Sequence, residues 1–219
     1  MISTLKDVRY AYGFEDVSIV PGAVTVNPEQ ADLGLTIGDL QFAIPIIASA
    51  MDAVVSPSFA VQLGKMGGLG VLNMEGLYSR YVDAPEKVAE IAEASPNSAT
   101  GILQSLYQEP IKESLVAERV EQIHKSGAIC AVSFTPQKTK RLGPVGVEAG
   151  ADILVVQSTV TTARHISESY HGLVLSELVE QINVPVMVGN CVNYGASLEL
   201  MELGVAAVLV GVGPGAACT

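Results

Sequence analysis

The chain has 219 residues, 49% hydrophobic and only 16% charged, and its 12 basic against 23 acidic side chains give a formal net charge of −11. That length suits one domain or a piece of a larger one, and a surface so negative repels nucleic acid and anionic membrane, which argues against either as a main partner. No stretch approaches the ~18 uninterrupted apolar residues of a membrane helix, and the mean hydropathy of +0.39 fits strands covered on both faces. Lys6, Asp7 and Arg9 have no apolar run behind them, so no signal peptide is visible. Cys130, Cys191 and Cys218 form no C-x-x-C pair and leave one cysteine over, a pattern of a reducing cytoplasm rather than of a disulfide framework.

In chain order, the first regular feature lies at 33–42, where Ile37-Gly38-Asp39 reads as a hairpin turn able to close the bottom of a barrel. Ile44-Pro45-Ile46-Ile47-Ala48 reads as the first parallel-type strand. Ser56-Pro57 then has the form of an N-cap with proline at the first helical position. That helix ends at Gly67-Gly68, and Leu69-Gly70-Val71-Leu72 follows as a strand. Asp83-Ala84-Pro85-Glu86 has capping-box spacing, and Leu115, Val116, Val120 and Ile123 make an apolar stripe at helical spacing. The helix–glycine–strand join recurs at Gly127 before Ile129-Cys130-Ala131-Val132, at Gly150 before Ile153-Leu154-Val155-Val156, and at Gly204 before Ala207-Val208-Leu209-Val210. Thr135-Pro136 opens a helix that Gly143-Pro144 is expected to break or kink. Val184-Pro185-Val186-Met187-Val188 supplies one more strand.

Six parallel-type strands alternating with helices predict an α/β fold. A doubly wound sheet would carry its glycine-rich turn after the first strand; here the glycines follow the sixth. The expected architecture is therefore a (β/α)8 TIM barrel, incomplete in this chain, with chemistry on the loops after the strand C-termini. Such barrels typically need about 250 residues, so about two β/α units are expected beyond Thr219. The whole of 1–219 is read as one partial catalytic barrel.

The last nine residues, Gly211-Val212-Gly213-Pro214-Gly215-Ala216-Ala217-Cys218-Thr219, leave the sixth strand as a glycine-rich loop that presents a cysteine. Taken alone, this could be a turn with a spare small hydrophobe. The full string resembles the G-x-G-P-G-S-x-C-T loop of IMP dehydrogenases and GMP reductases. Four further segments resemble that family in the same order: Gly13-Phe14-Glu15-Asp16-Val17 with Val20-Pro21-Gly22, Ile46-Ile47-Ala48-Ser49-Ala50-Met51-Asp52, Gly67-Gly68-Leu69-Gly70-Val71-Leu72-Asn73, and Val188-Gly189-Asn190-Cys191-Val192. Too few residues separate the second and third strands for the pair of CBS modules that many members carry, so the resemblance is to members without a CBS domain.

The resemblance implies an NAD-dependent oxidoreductase that converts IMP to XMP through a covalent purine adduct on Cys218. It implies Ser49, Met51, Asn190 and Ala216 for the purine nucleotide, and Gln157, Ser158, Gly211 and Gly213 for NAD. It also implies a monovalent cation, potassium, on the carbonyls of Gly213, Gly215 and Cys218, since a hard cation prefers oxygen. A homotetramer or octamer in the cytoplasm completes the expectation. Two positions depart from the family: an Asp-Ser pair is usual where this chain has Gln157-Ser158, and Ala216 replaces a serine that bonds the nucleotide phosphate. GMP reductase chemistry, a catalytically silent nucleotide-binding paralogue and an FMN-dependent barrel remain open at this point. Cys130 and Cys191 read as packed hydrophobes, and His124, His165 and His171 as surface or structural residues.

Overall fold

The computed structural model describes residues 10, 12, 16–164 and 172–212. It begins with a short hairpin, β1 (Leu35–Ile37) and β2 (Leu40–Phe42), paired antiparallel with Ile37 opposite Leu40. Gly38 has φ +58°, at the position where a two-residue type II′ turn takes glycine. A Cβ there would come within 2.5 Å of the Pro185 ring, so the turn is also pressed against the sheet.

Six strands follow: β3 (Ile47–Ala48), β4 (Leu69–Asn73), β5 (Ala131–Phe134), β6 (Ile153–Gln157), β7 (Val186–Cys191) and β8 (Ala207–Val210). They form one parallel sheet in the order β3-β4-β5-β6-β7-β8. Strand order equals chain order with no reversal, which a doubly wound sheet would require. The sheet curls into a half-barrel, an incomplete TIM-barrel-like fold, as the strand–helix alternation predicts. β3 and β8 each pair on one side only among the described residues, and Val210 at the β8 edge is 76% exposed.

The helices are α1 (Pro57–Lys65), α2 (Ala84–Glu93), α3 (Pro96–Leu106), α4 (Glu113–His124), α5 (Pro136–Glu148), α6 (Leu175–Gln181) and α7 (Tyr194–Glu202). Alternation along each strand divides the core in two. Leu72, Val132, Phe134, Leu154, Val156, Val186 and Val188 face outward and pack with Leu115-side helical residues such as Val116, Val120, Ile123 and Leu142. Leu69, Val71, Ala131, Ile153, Val155 and Met187 face inward and meet Ile37 and Phe42 of the hairpin. These inward residues lie toward the strand starts, so the hairpin plugs the bottom of the half-barrel and leaves the top open. Full burial of each Val, Leu, Ile, Phe or Met side chain among them contributes about 1.5–3 kcal/mol.

The helix–strand joins form as the sequence predicts: Gly67, Gly127, Gly150 and Gly204 have φ between +80° and +105°. At Gly67 the space is as restrictive as the dihedral, because a Cβ would lie 2.5 Å from the Ala43 Cβ. The Ser56 side chain accepts from the Phe59 N–H at 3.1 Å and Pro57 stands at N1. Ser56→Ala is therefore expected to lower stability by about 1 kcal/mol, read as a lower urea midpoint with an unchanged slope.

Two local expectations do not hold. Asp83 is the N-cap of α2, but its side chain makes no capping bond; its carboxylate lies 3.9 Å from Lys87 Nζ instead. A flexible carboxylate has both options within one turn, and the ion pair is the one adopted. Pro144 does not break α5, which runs unbroken through it. Leu142, Gly143 and Gly146 are buried against the sheet, where a Cβ on Gly146 would already meet Val132 at 3.3 Å. Tertiary packing thus holds the helix across the missing N–H.

Candidate active site

The residues that continue the inward rows past the apolar plug are polar. Asn73 follows Leu69 and Val71 on β4, Ser133 follows Ala131 on β5, and Gln157 follows Ile153 and Val155 on β6. They open into a cavity of about 780 Å³, which the loop Ser49, Ala50 and Met51 after β3, Glu75, Thr135, Asn190, Leu209, Gly211 and Val212 also line. A second cavity of about 560 Å³ lies in the helical layer between α5 and α6, lined by Lys140, Pro144, Leu178 and neighbours. It touches no strand end. In β/α barrels chemistry sits at the C-terminal strand ends, so the first cavity is the candidate site.

Ser49, Met51, Gln157, Asn190 and Gly211 all line this one cavity. Met51 is 52% exposed and forms a wall rather than core. Gln157 Nε2 donates to Asn190 Oδ1 at 3.2 Å, joining the ends of β6 and β7. Ser158 turns away: its hydroxyl lies 2.8 Å from the Val160 carbonyl oxygen and from Thr161 Oγ1, and it lines a separate pocket of about 120 Å³ with Val160 and Thr161. Gly211 leaves β8 at φ +93° and donates its N–H to the Cys191 carbonyl at 2.8 Å. Gly213, Gly215, Ala216 and Cys218 lie outside the described residues, as do His165 and His171.

The loop after β3 is held by Asp52. Its carboxylate accepts from the Leu77 N–H at 2.6 Å, from Asn73 Nδ2 at 3.3 Å and from the Tyr107 hydroxyl at 2.8 Å. Glu75 accepts the Thr135 N–H at 2.5 Å at the start of α5. No lysine or arginine lines the cavity, so among the described residues a phosphate would meet only neutral donors and the carboxylates Asp52 and Glu75 nearby. The donor set at Gln157, Asn190 and Ser49 is that of hydroxyl and amide recognition.

Cys130 and Cys191 are fully buried. Burial, reinforced by Asp152, pushes the Cys130 thiol up to about 12, and its N–H donates to the Asp152 carboxylate at 2.8 Å. Cys191 Sγ lies 3.0 Å from Ser197 Oγ. His124 is exposed on the last turn of α4. Among the described residues no helix is long and apolar enough to cross a membrane, and no group of three or more His, Cys, Asp or Glu is arranged to hold a metal.

Asp52 and Asn73 stand in the family-like segments but received no role from sequence, and Glu75 and Tyr107 were not singled out at all. Asn73 and Glu75 had a usable signal, a polar residue where an inward apolar row ends. Tyr107 had none, because it meets Asp52 across 55 residues of chain.

A parallel β/α half-barrel that gathers polar side chains at its C-terminal strand ends has its candidate site where β/α barrels carry their chemistry, on the βα loops. The chain belongs to the IMP dehydrogenase / GMP reductase family, whose domain model matches residues 11–219. An uncharacterized oxidoreductase of Mycolicibacterium smegmatis is 37% identical over 95% of this chain and 57% of its own length. The inosine-5′-monophosphate dehydrogenase of Cryptosporidium parvum is 28% identical over 98% of the chain and 54% of its own length. The crystal structure of an IMP dehydrogenase/GMP reductase-like protein from Corynebacterium glutamicum superposes with a TM-score of 0.87 at 34% identity, covering 94% of this chain and 55% of that one. The chain thus spans a little over half the length of these relatives.

Proposed function

We propose that the protein is a purine-nucleotide oxidoreductase that acts at C2 of the base, oxidising IMP to XMP with NAD through a covalent adduct on Cys218. The observation that carries this reading is the route of the chain out of β8. Gly211 and Val212 line the cavity together with Ser49, Met51 and Asn190, and Cys218 stands six residues further along the sequence. In the proposed reaction the Cys218 thiolate adds to C2, hydride leaves C2 for the nicotinamide, and water cleaves the resulting adduct, returning the thiolate and giving XMP, NADH and a proton.

Within this reading Ser49 and Met51 form the wall against the base, Asn190 bonds the sugar, and the Ala216 N–H serves the phosphate. NAD supplies the hydride acceptor. Gln157 would bond its ribose through the side-chain carbonyl, which has no donor among the described residues, while its amide is held by Asn190; Gly211 and Gly213 complete that end, whereas the Ser158 hydroxyl faces the neighbouring pocket instead. Carbonyls of Gly213, Gly215 and Cys218 would hold potassium. A cytoplasmic homotetramer or octamer belongs to the same proposal.

One observation favours a second reading. Gln157 is neutral where a carboxylate would hold a ribose diol, and neutral amides tolerate a 2′-phosphate better than an acid does. GMP reductase chemistry, which consumes NADPH and releases ammonia from GMP, uses the same thiol. The test is to assay the protein at its native length with IMP plus NAD and, separately, with GMP plus NADPH. NADH formation with IMP supports the leading reading. NADPH loss with GMP and none with IMP transfers it to the second, and turnover of neither pair sinks both.

A further inference from the structure

The stretch between β4 and β5 leaves the β/α repeat and returns through a 3-10 turn (Leu77–Ser79), α2 and α3 before α4 resumes the barrel. The C-cap of α3 is Tyr107. Its hydroxyl donates to Asp52 Oδ2 at 2.8 Å, and Asp52 directly follows Met51. The backbone around Met51 is itself a tight turn: its N–H donates to the Ser49 carbonyl at 2.8 Å, and its carbonyl accepts from Val54 and Val55 at 2.9 Å. Fixing the Asp52 carboxylate therefore fixes where Ser49 and Met51 stand in the cavity.

Tyr107 is in turn bolted down. The Arg80 guanidinium lies 5.2 Å from its ring centroid, donates to the Tyr107 carbonyl at 3.1 Å and to that of Glu109, and bonds the Glu75 carbonyl at 3.0 and 3.1 Å. Burial and the adjacent Asp52 push the Tyr107 phenol well above its ordinary range, so it stays a protonated donor. All the Asp52 contacts are donors to the carboxylate. Such a carboxylate is an anchor rather than a free base.

We propose that Tyr107 is a positioning residue for the nucleotide-binding loop 49–51: the α2–α3 excursion holds that loop in its binding geometry through the Tyr107–Asp52 hydrogen bond. The proposal rests on the reading of Ser49 and Met51 as the purine wall. It predicts that Tyr107→Phe, in the protein at its native length, raises KM for IMP on the order of tenfold, the scale of one lost hydrogen bond to a charged group, with kcat changed by less than about threefold. Titration calorimetry with IMP alone should give a matching rise in Kd. Val120→Ala, a truncation buried in α4 at a position that does not line the cavity, serves as a stability control and should leave KM unchanged. Asp52→Asn weakens the same link from the other side, so the double variant should be no worse than the poorer single one.

An unchanged KM and Kd in Tyr107→Phe overturns the proposal. So does an equal KM rise in Val120→Ala, or additive losses in the double variant. If the unsubstituted protein binds no purine nucleotide, the functional reading falls and takes this proposal with it. If it binds IMP and Tyr107→Phe binds it equally, the positioning role alone falls.

Discussion

Replacing Cys218 by alanine is expected to abolish XMP formation, by at least on the order of 10³-fold in kcat, while leaving nucleotide binding largely intact. A thiolate is nucleophilic enough to add to the purine and a good enough leaving group to be displaced by water afterwards. Without it there is no adduct from which hydride can depart at an accessible barrier. In the proposed function, binding rests on other groups: the walls at Ser49 and Met51, the Gln157–Asn190 pair and backbone amides. Neither remaining cysteine can substitute. Cys130 is buried, with its thiol pushed up to about 12, and Cys191 is buried at the end of β7 against Ser197. The measurement is NADH formation, with mass spectrometry for a trapped purine on Cys218 and calorimetry for IMP. Near wild-type turnover by the alanine variant would make the cysteine structural and remove the basis of the proposed function.

The barrel was legible because its signals are local and repeated. Each strand is a short apolar run, and four of the six are preceded by a glycine where a helix has to end, so the six units of the parallel sheet could be placed from sequence and appear in that order. Where local signals competed, sequence misjudged the outcome. Asp83 and Glu86 have the spacing of a capping box, but an ion pair to Lys87 is equally close, and nothing in the pattern ranks the two. Gly143-Pro144 breaks helices in isolation, whereas here the glycines on either side of the proline seat α5 against β5 and β6. In the site, Ser49, Met51, Gln157, Asn190 and Gly211 were identified through motif resemblance, and the structure gathers them on one cavity. The supporting residues escaped notice for a physical reason. Asp52, Leu77 and Tyr107 meet across 25 and 55 residues of chain, and no periodicity reports a non-local hydrogen bond.

Gly76→Ala should damage the site through space alone. Gly76 has φ −87°, a value any residue adopts, so no backbone strain requires glycine there. What requires it is the Asp52 carboxylate: a Cβ on Gly76 would overlap Oδ1, Oδ2 and Cγ of that side chain. The carboxylate must then leave its donors, Leu77 N–H, Asn73 and Tyr107, each worth about 1.5–3 kcal/mol when the acceptor is charged. Because Met51 immediately precedes Asp52, the proposed purine wall moves with it. The expected result is a fall in kcat/KM on the order of 10²-fold, carried mostly by KM, the signature of a misplaced binding loop. Gly101→Ala is the control. It lies in α3, and a Cβ there meets nothing within 4 Å, so it should leave kcat/KM alone and raise the thermal midpoint slightly. Combining Gly76→Ala with Tyr107→Phe should add little, since both break the same attachment of Asp52. Wild-type kcat/KM in Gly76→Ala would mean that the loop holds its position without the carboxylate, and that Asp52 braces the fold rather than the site.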